Sequence, residues 1–83
     1  AALPSFKQYR EADGQFRFKF VDAQGRVLLQ SLGFASPKDA AQAIAKLQSD
    51  GAAALTTLAA QLEPTSVDAA TVGAALELLA AGN

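Results

Sequence analysis

Apolar and polar residues alternate one for one through Phe16-Arg17-Phe18-Lys19-Phe20, the period of a strand with one face buried. Two further short runs flank it, and turn residues separate the three. Asp13-Gly14 reads as a two-residue type I′ hairpin turn, because Asp tolerates and Gly prefers the positive φ that this geometry needs. That turn pairs Glu11 with Phe16, Arg10 with Arg17, Tyr9 with Phe18 and Phe6 with Val21. Ala23-Gln24-Gly25 suits a type I turn closed by a Gly bulge, which sets Asp22 opposite Arg26, Phe20 opposite Leu28 and Lys19 opposite Leu29. A three-stranded antiparallel meander over about residues 5–32 results.

In this register one face carries Tyr9, Phe16, Phe18, Phe20 and Leu28 and is expected to be the core. The aromatic and basic alternation also resembles an RNA-stacking platform, but the helix that follows must bury an apolar stripe, which favours core packing. The opposite face combines Arg10, Arg17 and Lys19 with Phe6, Val21, Val27 and Leu29. Arg10 opposite Arg17 is a like-charge pair, and the apolar patch beside it requires cover from the C-terminal helices or from a second subunit.

After the meander the period changes to that of helices. Ser36-Pro37-Lys38-Asp39 places Ser at an N-cap, Pro at the first helical position and an acid near the positive end of the dipole. Ala40, Ile44 and Leu47 form the stripe of this amphipathic helix, Phe34 staples its start, and Asp50-Gly51 ends it. Residues 52–62 predict a second helix with Leu55, Leu58 and Leu62 inward, stopped by Pro64. Thr65-Ser66-Val67-Asp68 predicts a third start, continued by Val72, Ala75, Leu76 and Leu79 to Gly82. The fold class is therefore α+β: a β-meander, an amphipathic helix, and a C-terminal extension of about two helices. Residues 51–83 carry no decayed copy of the strands, and they pack on the module of residues 5–50 or on a partner.

With 83 residues the chain is one small domain, and residues 1–4 read as the end of a linker from something longer. It has no His, Cys or Met, so the usual proton shuttle, thiol nucleophile and soft metal ligands are missing, and no metal or cofactor is expected. Absent cysteines fit a reducing compartment, no signal segment opens the chain, and no apolar run is long enough to span a membrane. All seven bases and four of the eight acids lie in residues 1–46, a local charge of +3, while residues 47–83 hold only acids. That asymmetry hints at an anionic partner, but +3 is far weaker than a typical nucleic-acid footprint, and on charge alone an ordinary solvated surface is favoured. Asp13, Asp22 and Asp39 occupy positions that Asp favours for backbone reasons, and Ser31, Ser36 and Thr65 have no His to form a triad.

The run GQFRFKFVDAQGRVLLQSLGFASPKDAAQAIAKLQ resembles the repeat of the YegP-like domains, in its alternating strand, Gly turn and Ser-led helix. Gln24 departs from the Asn that such repeats often carry there. The longer stretch from Pro4 onward resembles the C-terminal extension of some proteobacterial tryptophanyl-tRNA synthetases. This resemblance implies a parent that charges tRNA with tryptophan using ATP in the cytoplasm. Neither synthetase signature motif occurs here, so no catalytic, ATP-binding or tryptophan-binding residue carries over to this chain. A stand-alone YegP-like structural module is a further alternative.

Two roles follow as expectations. As an interaction module, the chain would use Phe6, Val21, Val27 and Leu29 to pair with another copy or with the synthetase body. As an RNA-binding appendage, it would use Lys7, Arg10, Arg17, Lys19 and Arg26 on tRNA phosphates.

Overall fold

The computed structural model describes residues 3–82, so Ala1 and Ala2 of the expected linker, and Asn83, lie outside the described residues. Strand β1 spans Ser5–Arg10, β2 Phe16–Val21 and β3 Val27–Gln30, and they form an antiparallel sheet in the order β1-β2-β3. Helix α1 spans Pro37–Asp50, α2 Ala53–Thr57 and α3 Ala69–Ala81, with a 3-10 turn at Ala59–Gln61.

The meander is the expected one, but its first register is displaced by one residue. Phe6 lies opposite Phe20, Gln8 opposite Phe18, Tyr9 opposite Arg17 and Arg10 opposite Phe16. Among the described residues no residue other than glycine has a positive φ, so Asp13 does not enter a type I′ turn. Instead Ala12, Asp13 and Gly14 form a three-residue loop: the Gly14 N–H donates to the Glu11 carbonyl (2.9 Å), and Gly14 takes φ 83°. The Asp13 carboxylate accepts the Gln15 N–H at 2.9 Å, and this side-chain bond holds the wider loop. A slip of one residue exchanges the faces of a whole strand. Phe6, expected on the outer face, therefore stacks on Phe20 with ring centroids 4.4 Å apart, and Tyr9, expected in the core, lies on the outer face.

The second turn forms as expected, with Gly25 at φ 84° and its N–H donating to the Asp22 carbonyl. Val21 pairs with Val27, but Phe20 then pairs with Leu29 and Lys19 with Gln30, because a bulge lies between Phe20 and Val21. Leu28 is the additional residue, and the kink permits consecutive Leu28 and Leu29 both to be buried. Leu29 consequently belongs to the core and not to an outer patch.

One core lies between the sheet and the helices. Phe18, Phe20, Leu28, Leu29 and Phe34 meet Ala40, Ala43 and Leu47 of α1, Ala54 of α2, and Val72, Ala75 and Leu76 of α3. Each large side chain buried in this way contributes roughly 1.5–3 kcal/mol. Phe34 does more than staple the helix start. Its backbone exchanges two hydrogen bonds with Phe16, and its ring stacks on Phe18 at 6.1 Å. Helix α1 begins with the Ser36 hydroxyl accepting the Asp39 N–H, and ends where Gly51 at φ 63° donates to the Leu47 carbonyl.

The segment after α1 departs from one helix over residues 52–62. Helix α2 is short, and the chain becomes extended at Leu62, where residues 61–63 lie along the outer edge of β3. The Leu32 N–H donates to the Gln61 carbonyl (2.9 Å) and the Glu63 N–H to the Gln30 carbonyl (2.8 Å). Covering an open sheet edge in this way satisfies backbone groups that a longer helix would have left bare. Helix α3 is capped by Asp68, whose carboxylate accepts the Thr71 N–H at 2.8 Å, while Thr65 accepts from Val67 in the preceding turn.

Candidate nucleic-acid and protein interfaces

The sheet surface opposite the core is built from β1 and β2 residues of one parity: Lys7, Tyr9, Arg17, Lys19 and Val21, with Gln30 from β3. Lys7 lies directly opposite Lys19, so the like-charge cross-strand pair is these two lysines and not the expected Arg10 and Arg17. Among the described residues neither lysine is in a salt bridge. The Lys19 ammonium lies 5.8 Å from the Tyr9 ring centroid, and the Tyr9 hydroxyl accepts a 2.7 Å hydrogen bond from the Gln30 amide. A fixed aromatic ring beside two uncompensated ammonium groups can meet a phosphate and a stacked base.

The other candidate cations are otherwise engaged. Arg17 reaches Glu63 at 3.5 Å, Asp13 at 3.6 Å and Glu11 at 4.0 Å, and only 21% of its side chain is exposed. Its Nε is buried without a hydrogen-bond partner. Three carboxylates around one guanidinium make that end of the sheet acidic. Arg10 lies on the other side of the sheet, over the Phe16 ring at 5.7 Å. Arg26 sits at the β2–β3 turn, with its Nε 2.8 Å from the Asp22 carboxylate. The Asp22 carboxyl is held below its usual range chiefly by the Arg26 backbone N–H, against an opposing desolvation, with the Arg26 side chain and the Gln24 N–H adding to the lowering.

The four residues of the expected apolar patch do not come together. Phe6 and Leu29 pack in the core, Val21 is buried outside it, and Val27 alone is well exposed. The structure has its apolar surface elsewhere. A groove of about 720 Å³ runs between the N-terminal segment, the β2–β3 turn and α3, lined by Leu3, Pro4, Leu28, Ala74, Ala75 and Leu78. Leu3 and Leu78 are 44% and 58% exposed. Asp22, Arg26 and Asp68 supply its charged lining. Asp68 is also held below its usual range, by its hydrogen bonds to the side chain and then the backbone of Thr71. The signal for this groove was present in AATVGAALELLAA, where Glu77 is the single charge and apolar residues occupy every side of the helix.

Among the described residues no group of His, Cys, Asp and Glu could hold a metal ion. None of their helices is long and apolar enough to cross a membrane.

Comparison with known proteins agrees with the resemblance read from the strands. The chain is 54% identical over 78 residues to the tryptophan–tRNA ligase of Xanthomonas axonopodis pv. citri, covering 94% of this chain and 18% of that protein. The tryptophan–tRNA ligase of Xylella fastidiosa is 53% identical over the same share of each chain, and that of Bordetella pertussis 42% identical over 45 residues. The matching segment is the C-terminal region of the Xanthomonas and Xylella enzymes, and this chain spans less than a fifth of their length. No solved structure shows a significant match. Residues 11–57 match the domain of unknown function DUF1508, whose span takes in β2, β3, α1 and α2, and the chain is a member of that domain family.

Proposed function

We propose that this chain is a non-catalytic accessory domain at the C-terminus of a tryptophan–tRNA ligase, and that its role there is protein interaction or assembly. The carrying observation is the 54% identity to such a ligase across 94% of the chain. The parent would activate tryptophan with ATP and transfer it to its tRNA in the cytoplasm, with ATP and amino-acid sites upstream of this domain. Residues 5–50 are the YegP-like module in this reading, and 51–83 the helical extension. An exposed apolar groove on so small a domain supports contact with protein, either the synthetase body or a second copy.

The test is tryptophan-dependent ATP–pyrophosphate exchange by the full-length gene product, with and without this domain. Exchange should be present in both forms, and the truncated enzyme should lose stability or assembly. A full-length protein with no such exchange would refute the ligase reading.

A second reading, tRNA contact, has Lys7 opposite Lys19 in its favour. Replacing both with Gln should then weaken tRNA binding and reduce its salt dependence, while Arg17→Gln should leave binding nearly unchanged, since Arg17 is held by carboxylates. Unchanged tRNA binding and salt dependence in the protein with both lysines replaced would remove the sheet face from consideration.

A further inference from the structure

Helix α3 is apolar on more sides than this domain covers. Val72, Ala75 and Leu76 are buried, whereas Ala70, Ala74 and Leu78, spaced four apart on the neighbouring flank, are exposed. By contrast α1 turns Lys38, Asp39, Gln42 and Lys46 to solvent. A helix with one charge in thirteen residues is suited to burial on two sides. The small side chains of Ala70 and Ala74 permit a close approach along the ridge that ends at Leu78.

We infer that the groove between α3, the β2–β3 turn and Leu3-Pro4 is the docking site for an apolar segment of the polypeptide upstream of this domain. The inference rests on the accessory-domain reading and names its partner and surface. Three observations select this occupant. First, the matched region is the C-terminal 18% of the similar ligases, so about four fifths of such a polypeptide lies upstream. Second, Leu3 and Pro4 form one wall of the groove, so a connection from upstream reaches the domain at the groove itself. Covalent attachment at that point raises the effective concentration of the upstream segment, to the order of millimolar for a short flexible linker, and a modest apolar contact then suffices. Third, the charged side chains lining the groove are Asp22, Asp68 and Arg26, with Arg26 tied to Asp22 at 2.8 Å, a set of net negative charge that opposes a phosphate backbone.

The experiment compares the full-length protein with two variants of it, Leu78→Glu in the groove and Leu32→Glu outside it. Both positions are exposed, at 58% and 39%, so neither substitution removes a core side chain. Limited proteolysis of the segment before Leu3 and small-angle scattering report docking, and circular dichroism reports folding. Leu78→Glu should speed cleavage at that segment about tenfold and enlarge the radius of gyration, with ellipticity retained; Leu32→Glu should change neither. Equal cleavage rates and dimensions for the wild type and Leu78→Glu would overturn the inference. So would a wild-type dimer that Leu78→Glu converts to monomer, which would assign the groove to a second copy, or tRNA protection of the groove that Leu78→Glu abolishes. None of these readouts uses aminoacylation, so failure of the ligase reading in the exchange assay is distinguishable from failure of docking.

Discussion

Ser31 is a buried polar residue at the point where β3 leaves the regular ladder, with none of its surface exposed. Its N–H donates to the Phe18 carbonyl, and its hydroxyl accepts the Phe18 N–H, both at 2.9 Å. The hydroxyl thus replaces a strand carbonyl at the center of the sheet. Ser31→Ala removes that acceptor and leaves a buried N–H in a site closed to water, at a cost of about 1–3 kcal/mol. For a domain of this size each kcal/mol lowers the melting temperature by roughly 4–8 °C, so the expected loss is about 4–24 °C. Thermal melts of the 83-residue chain measure the shift, and amide hydrogen exchange should show Phe18 losing more protection than its strand neighbors. Ser49→Ala, which removes an exposed hydroxyl, should leave the melt unchanged. A Ser31→Ala protein that melts within a degree of the parent with Phe18 still protected would refute the assignment of that bond.

Phe18→Ala should cost about 3–5 kcal/mol, because the ring is fully buried and stacks on Phe34 with Phe6 at its edge; a cooperative melt close to that of the parent would contradict the core assignment. Asp22 and Asp68 have folded-state pKa values lowered from 3.8, so their contribution to stability is present above that value and is lost as pH falls through it toward the folded values. The melting temperature should therefore fall below about pH 4, and Asp22→Asn with Asp68→Asn should flatten that decline; an unchanged acid limb in the double variant would show that these two carboxylates do not set it.

The strands and the start of α1 were legible because their signals are local. Alternation through β2, Gly25 after Ala23-Gln24, and Ser36-Pro37 each act within a few residues, and the structure contains each where it was expected. The faces of β1 were not legible, since Asp13-Gly14 serves a two-residue turn or the end of a three-residue one, and the choice flips every β1 side chain. What separates these outcomes is long-range: with Phe6 inward the ring meets Phe20 and Phe18, and Arg10 finds the Phe16 face. The candidate site suffered the same displacement. Lys7, Lys19 and Tyr9 share the outer face, but Arg10 leaves it, and Phe6 and Leu29 enter the core.

By itself the sequence determined the order of elements, the α+β class, the aromatic core strand and the membership in a domain family, because alternation, caps and turn residues are properties of neighboring positions. Packing between distant segments set which side of each strand is buried, closed the β3 edge with residues 61–63, and left the exposed apolar surface along α3. Those outcomes depend on which distant groups satisfy one another. A backbone N–H at a sheet edge, a ring that needs a stacking partner and a helix apolar all round each admit several local arrangements, and packing selects one of them.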